Sequence, residues 1–89
     1  MIKILKFQAD WCNPCKTLSP IMKELALEFD LEIKEINIDE EDDLVEQYEI
    51  RSIPTLIFFK NNIQVLKTTG SKSKEQLKVL INKIKNGND

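Results

Sequence analysis

The chain has no histidine, only two cysteines and two glycines, and among its 89 residues one tryptophan and one tyrosine. Without histidine it has no imidazole, and toward a structural zinc site of the Cys/His kind it offers only its two thiols. Structural zinc takes four Cys or His ligands, so two cysteines would need a second copy to complete a site. Two cysteines are also too few for a disulfide scaffold of the kind that holds small secreted domains together. The formal charge is -2, and neither a basic stripe nor a polybasic patch is present, which argues against nucleic-acid and membrane-surface partners. The opening "IKILKFQAD" is short and interrupted by lysines, unlike a signal peptide or a membrane span, so a cytoplasmic location is expected. In that compartment a close cysteine pair points to redox chemistry or metal binding rather than to a structural bridge.

What is present suits one globular domain over residues 1–89. Hydrophobic residues make up 42% and charged residues 31% of the chain, within the globular range. A fold this small buries only about 60–65% of the surface its unfolded chain exposes, which leaves little room for a passenger segment. No repeat, low-complexity segment or linker interrupts it.

Residues 2–8 are rich in Ile, Leu and Phe and read as a strand buried on both faces over part of its length. From Asn13 to about Phe29 apolar residues recur at spacings of three and four, the pattern of an amphipathic helix. Pro14 suits its first turn, while Pro20 is expected to kink its interior. A second strand is expected over Leu31–Asp39. A short helix should follow in "EEDDLVEQYEI", where acids crowd the positive end of the dipole. "TLIFFK" and "QVLKTTG" read as strands joined by a tight turn at Asn61 and Asn62, since Asn tolerates positive φ. A last helix starts at a Ser73/Gln76 capping box and stops at Gly87. The order β, α, β, α, β, β, α predicts an α/β fold with a mixed four-stranded sheet flanked by three helices. Its first two strands should be parallel and the later hairpin antiparallel.

The chemistry concentrates in "FQADWCNPCKTLSP". Cys12 falls at the strand-to-helix junction and Cys15 one turn on, close enough for a reversible disulfide. Cys12 faces unpaired N–H groups and the positive end of the dipole, which favours its thiolate and makes it the natural nucleophile. Cys15, more buried and less acidic, reads as the resolving cysteine. No metal or organic cofactor is required.

Together "ADWCNPCK", Pro20, "NIDEE", "YEIRSIPTLIFFKNN" and "GSKSKEQL" resemble the thioredoxin family along nearly the whole chain. The resemblance implies a protein-disulfide reductase, working as an electron carrier recharged by an NADPH-dependent thioredoxin reductase. It implies disulfide-containing substrates such as ribonucleotide reductase, and a monomer is expected. It also implies that Pro54 is a cis-proline opposite the cysteines, and that Trp11, Asn13, Pro14, Ile53, Pro54 and Gly70 shape a substrate groove around them. The alternatives are a glutaredoxin-like reductase recharged by glutathione and a thiol-independent binding subunit of a larger enzyme.

Three features depart from the family pattern. The opening strand and helix usual in thioredoxins are absent, making the chain similar to the short forms of some phages and archaea. Asn13 stands where Gly is common between the cysteines, so the family's redox potential does not transfer. Finally, the positions of a buried Asp and its Lys partner hold Lys6 and Glu35, the charges exchanged. A lone buried Lys would cost several kcal/mol, so Glu35 is expected beside it as a pair that tunes the thiols.

Overall fold

A computed structural model describes residues 1–87; the last two residues of the domain expected over 1–89 lie outside it. The element order is β1 (Ile2–Gln8), α1 (Asn13–Phe29), β2 (Glu32–Asn37), α2 (Asp42–Gln47), β3 (Thr55–Lys60), β4 (Ile63–Thr69) and α3 (Lys74–Lys85). One sheet carries the strands in the order β2-β1-β3-β4. β1 and β2 are parallel across the α1 crossover, and β1/β3 and β3/β4 are antiparallel. This is the mixed sheet and helix arrangement that the hydrophobic periodicities predict.

β1 is central, which explains its near-continuous burial: Ile4, Lys6 and Phe7 are inaccessible to solvent and Leu5 almost so. Strand alternation sends Ile2, Ile4 and Lys6 to one face and Leu5 and Phe7 to the other. The first face packs Leu18, Met22 and Leu25 of α1 and Leu77 and Ile81 of α3 over Ile4, Leu56 and Phe58. Across the sheet, Leu5, Phe7, Ile36 and Ile57 meet Leu44 and Tyr48 from the α2 region.

Turn chemistry follows residue type. Asn61 and Asn62 take φ of 52° and 70°, the left-handed pair of a two-residue hairpin. In the capping box, Gln76 N–H donates to Ser73 Oγ and Ser73 N–H to Gln76 Oε1. α1 ends where Asp30 turns left-handed and Leu31 N–H reaches back to the Ala26 carbonyl.

Boundaries differ slightly from the expectations. β2 ends at Asn37, although Ile38 N–H still bonds the Gln8 carbonyl, and β4 begins one residue earlier than expected, at Ile63. The helix α1 runs unbroken through Pro20. Pro20 and Lys16, the residue whose carbonyl the missing N–H would have served, are both exposed, so the lost bond is on the solvent side. Among the described residues no helix is long and apolar enough to cross a membrane.

Candidate active site

The site forms where β1 hands over to α1. Cys12 is the N-cap of α1 in extended backbone, Pro14 occupies the first turn, and Cys15 lies one turn in. The two cysteines are joined as a disulfide with Cα atoms 5.3 Å apart. Both are buried, Cys12 at 5% and Cys15 at 1% exposure, so the reactive pair differs little in burial. The Cys15 N–H donates to Cys12 Sγ at 3.2 Å, and the helix N-terminus adds its dipole; each favours a sulfur anion at Cys12.

Around the sulfurs, Ala9, Ile38 and Ile53 close an apolar cluster with the cysteines. The Ile53–Pro54 peptide bond is cis, and Pro54 is fully buried. Thr55, also buried, donates from Oγ1 to the Ser52 carbonyl at 2.7 Å and holds the approach to Pro54. Gly70 N–H donates to the Pro54 carbonyl at 2.8 Å. Its φ of 89° explains the glycine, because space for a Cβ is open there and only the backbone conformation disfavours a side chain.

Trp11 stands 66% exposed beside the pair, and its indole Nε1–H donates to Asp39 Oδ2 at 3.0 Å. Asp39 is itself placed by its N–H bond to Asn37 Oδ1. A mainly apolar cleft of about 330 Å³ runs from Trp11 past Ile38, Val45 and Ile50 to Ile53, with Arg51 at its rim. Asn13 and Pro14 are exposed on the outer surface of the first turn. The structure therefore gathers Trp11, Cys12, Cys15, Ile53 and Pro54 and brings Gly70 up through its backbone bond to Pro54.

Lys6 and Glu35 lie on the other side of Cys15. They are directly opposed in the parallel β1/β2 register, on the face covered by α1. Their side chains meet, Nζ to Oε2, at 3.3 Å, but the pair is buried at one end only: Lys6 is fully enclosed and the Glu35 side chain is 44% exposed. Nζ also donates to the Cys15 carbonyl at 3.0 Å, to Ser19 Oγ at 2.6 Å and to Gln8 Oε1. Burial holds the Lys6 pKa below its ordinary value, and Glu35, by charge and hydrogen bond, pushes it back up.

Gln8, Ser19 and Asp39 did not stand out in the sequence. Ser19 could have been found as the residue one turn after Cys15 on the same helix face, and Gln8 as the same-face neighbour of Lys6 on β1. Among the described residues no three metal-ligating side chains cluster.

A family model described as Thioredoxin matches residues 1–83. A thioredoxin of Chlamydia pneumoniae is 48% identical over 81 residues, 90% of this chain and 79% of that protein. A Buchnera aphidicola thioredoxin is 43% identical over 81 residues, 89% of this chain and 74% of its own length. Among solved structures, a mutant thioredoxin from Halobacterium salinarum superimposes with a TM-score of 0.86 at 36% identity, covering 90% of this chain and 71% of that one.

Proposed function

The chain belongs to the thioredoxin family and is a thiol-disulfide oxidoreductase, and on that premise we propose that Cys12 attacks and Cys15 resolves. The observation that carries this assignment is the Cys15 N–H on Cys12 Sγ at the head of α1, which favours charge on the first sulfur and not on the second.

In the reduced protein the Cys12 thiolate attacks one sulfur of a substrate disulfide. A mixed disulfide forms and the other substrate sulfur leaves as a thiolate, which takes up a proton. Cys15 then loses its proton and attacks Cys12 Sγ, closing the Cys12–Cys15 disulfide and expelling the second substrate sulfur as a thiolate, which takes up that proton. Counting the proton that Cys12 released to solvent on ionising, two electrons and two protons pass to the substrate, with no group beyond the two thiols required. The apolar cleft beside Trp11 and Ile53 seats the chain flanking the substrate disulfide, Asn13 and Pro14 border it, and Pro54 and Gly70 keep its far wall in place. Lys6 and Glu35 tune the thiols from beneath.

Redox partners follow from the family: a reductase that restores the dithiol and proteins that carry reducible disulfides. We assign the reductase role to an NADPH-dependent thioredoxin reductase and include ribonucleotide reductase among the substrates, with the protein acting as a cytoplasmic monomer. The experiment is trapping. The Cys15→Ser variant should accumulate a mixed disulfide with a disulfide-bonded protein and Cys12→Ser should not; trapping by Cys12→Ser alone would reverse the assignment. Binding that persists in both variants without any covalent adduct would support a thiol-independent subunit instead.

A further inference from the structure

A lysine in a sheet interior is costly unless its charge does something there. Lys6 has no solvent exposure, and its Nζ lies within hydrogen-bond reach of four acceptor oxygens: Gln8 Oε1, the Cys15 carbonyl, Ser19 Oγ and Glu35 Oε2. A neutral amine has two N–H donors and a lone pair, which would face that ring of oxygens unfavourably; an ammonium has three donors and a charge that suits all four. Three of the four are uncharged. The single carboxylate is the outermost of them, 44% exposed and therefore partly screened by water. The positive charge thus touches the Cys15 carbonyl directly, while its counter-charge reaches Cys15 only through Lys6 and Ser19 and is partly in solvent.

We propose that the Lys6 ammonium, seated by Gln8 and Ser19, is a positioning residue that favours thiolate at the cysteine pair and so stabilises the dithiol over the disulfide. The inference rests on the oxidoreductase reading and names its substrate class. A reduced form stabilised in this way makes the protein a stronger oxidant and a weaker reductant. Its substrates are accordingly strained or exposed disulfides, which have high potentials and give up their bonds readily. Deeply stable structural bridges fall outside that class. In the forward direction the protein dithiol becomes a disulfide while the substrate disulfide becomes two thiols, the same two electrons and two protons as before.

The geometry sets the scale. Nζ is 3.0 Å from the Cys15 carbonyl oxygen, and covalent geometry keeps a cysteine's sulfur within a few ångströms of its own carbonyl, so charge and sulfur are within about 8 Å. At an effective dielectric of about 20 a unit charge at about 8 Å biases ionisation by more than tenfold, and partial opposition from Glu35 leaves an effect on the order of tenfold. Other charged side chains near the pair are Asp10 and Lys16, which line a cleft of about 290 Å³ with Gln8, Cys15 and Ser19, and, on the Trp11 side, Asp39 and Arg51. All four are exposed, two acidic and two basic, and solvent screens them more than it screens the enclosed Lys6.

Thiol pKa values, from thiolate absorbance, and the equilibrium with glutathione would be measured for the full chain beside Lys6→Met and Lys6→Arg. The expected result is a rise in the lower thiol pKa and about a tenfold shift towards disulfide in Lys6→Met, with Lys6→Arg within about twofold of the parent. No shift, a shift of opposite sign, or equal shifts in both variants would overturn the proposal. A second measurement needs no variant: the Lys6 side-chain carbon titration, followed by NMR in the oxidised and reduced forms. Coupling is reciprocal, so the Lys6 pKa must be higher in the reduced protein; identical values, or a neutral Lys6 at pH 7, would refute the idea even if Lys6→Met does not fold. If the unmodified protein does not exchange with glutathione or any other disulfide, the oxidoreductase reading falls. Intact exchange with unmoved thiol titration sinks only the role of Lys6.

Discussion

Replacing Lys6 and Glu35 singly and together by Met and Gln measures how much the half-buried ion pair contributes to stability. The charges are 3.3 Å apart. At that distance Coulomb attraction is about 1.3 kcal/mol at the dielectric of water and about 5 kcal/mol at an effective value of about 20. Lys6 sits at the enclosed extreme and Glu35, at 44% exposure, near the solvated one, so screening pulls the coupling down to about 1–2 kcal/mol. Each single replacement has its own expected size. Glu35→Gln should cost about 1–2 kcal/mol, since it leaves the buried ammonium with three neutral acceptors and no counter-charge. Lys6→Met removes the desolvation cost of a buried charge, fills a similar volume and strands only a partly hydrated carboxylate, so its net effect should be within about 1 kcal/mol of zero. Urea denaturation of the four proteins in the reduced state, with m-values checked for constancy, supplies the cycle. Single changes that add to within about 0.3–0.5 kcal/mol would show that the pair carries no energy and refute this reasoning.

Three further outcomes are expected. Because burial depresses the Lys6 pKa, between that lowered value and about 10.5 the unfolded chain binds a proton that the folded chain does not. The stability penalty is therefore present below the lowered pKa and is relieved as pH rises through this window. Lys74, raised by Glu24 and Glu28, works in the opposite sense, so the signature to seek by urea titration is the slope that Lys6→Met removes and the parent keeps. Ser73→Ala should lose about 1 kcal/mol by removing the Oγ that accepts from the Gln76 N–H, while Ser73→Asp should recover most of it, as seen by thermal denaturation. Asp39→Ala frees the Trp11 indole, which should change the tryptophan emission and raise KM for a protein disulfide up to about fivefold with kcat little changed, in keeping with a hydrogen bond of about 1 kcal/mol.

Strand and helix order could be read from the chain because the periodicities are local and uninterrupted, and the turns because Asn61–Asn62 and Ser73/Gln76 act within a few residues. The cysteine pair was legible for the same reason: its position at a strand-to-helix junction is set by adjacent residues. Lys6 and Glu35 show where local reading runs out. Their types signal a charge exchange, and the β1/β2 register places them opposite one another, yet nothing local distinguishes a central strand from an edge strand. Lys6 is enclosed because β1 has neighbours on both sides, and Glu35 stays half in solvent because β2 has one. Ser19, Gln8 and Asp39 acquire their roles only when α1 folds onto the sheet and the segment after β2 reaches Trp11. Pro20 does lie inside α1 as its sequence position implies, and the helix continues past it with the missing N–H set against the exposed Lys16 carbonyl.

Transfer of electrons through the Cys12–Cys15 pair to protein disulfides is the chemistry the site supports. It is tested most directly by following NADPH oxidation in a mixture of the protein, a thioredoxin reductase and a disulfide-bonded protein, beside Cys12→Ser. Sustained turnover that depends on the chain and disappears in the variant is expected; equal turnover in both, or none with glutathione or the reductase as donor, would contradict electron transfer through the pair.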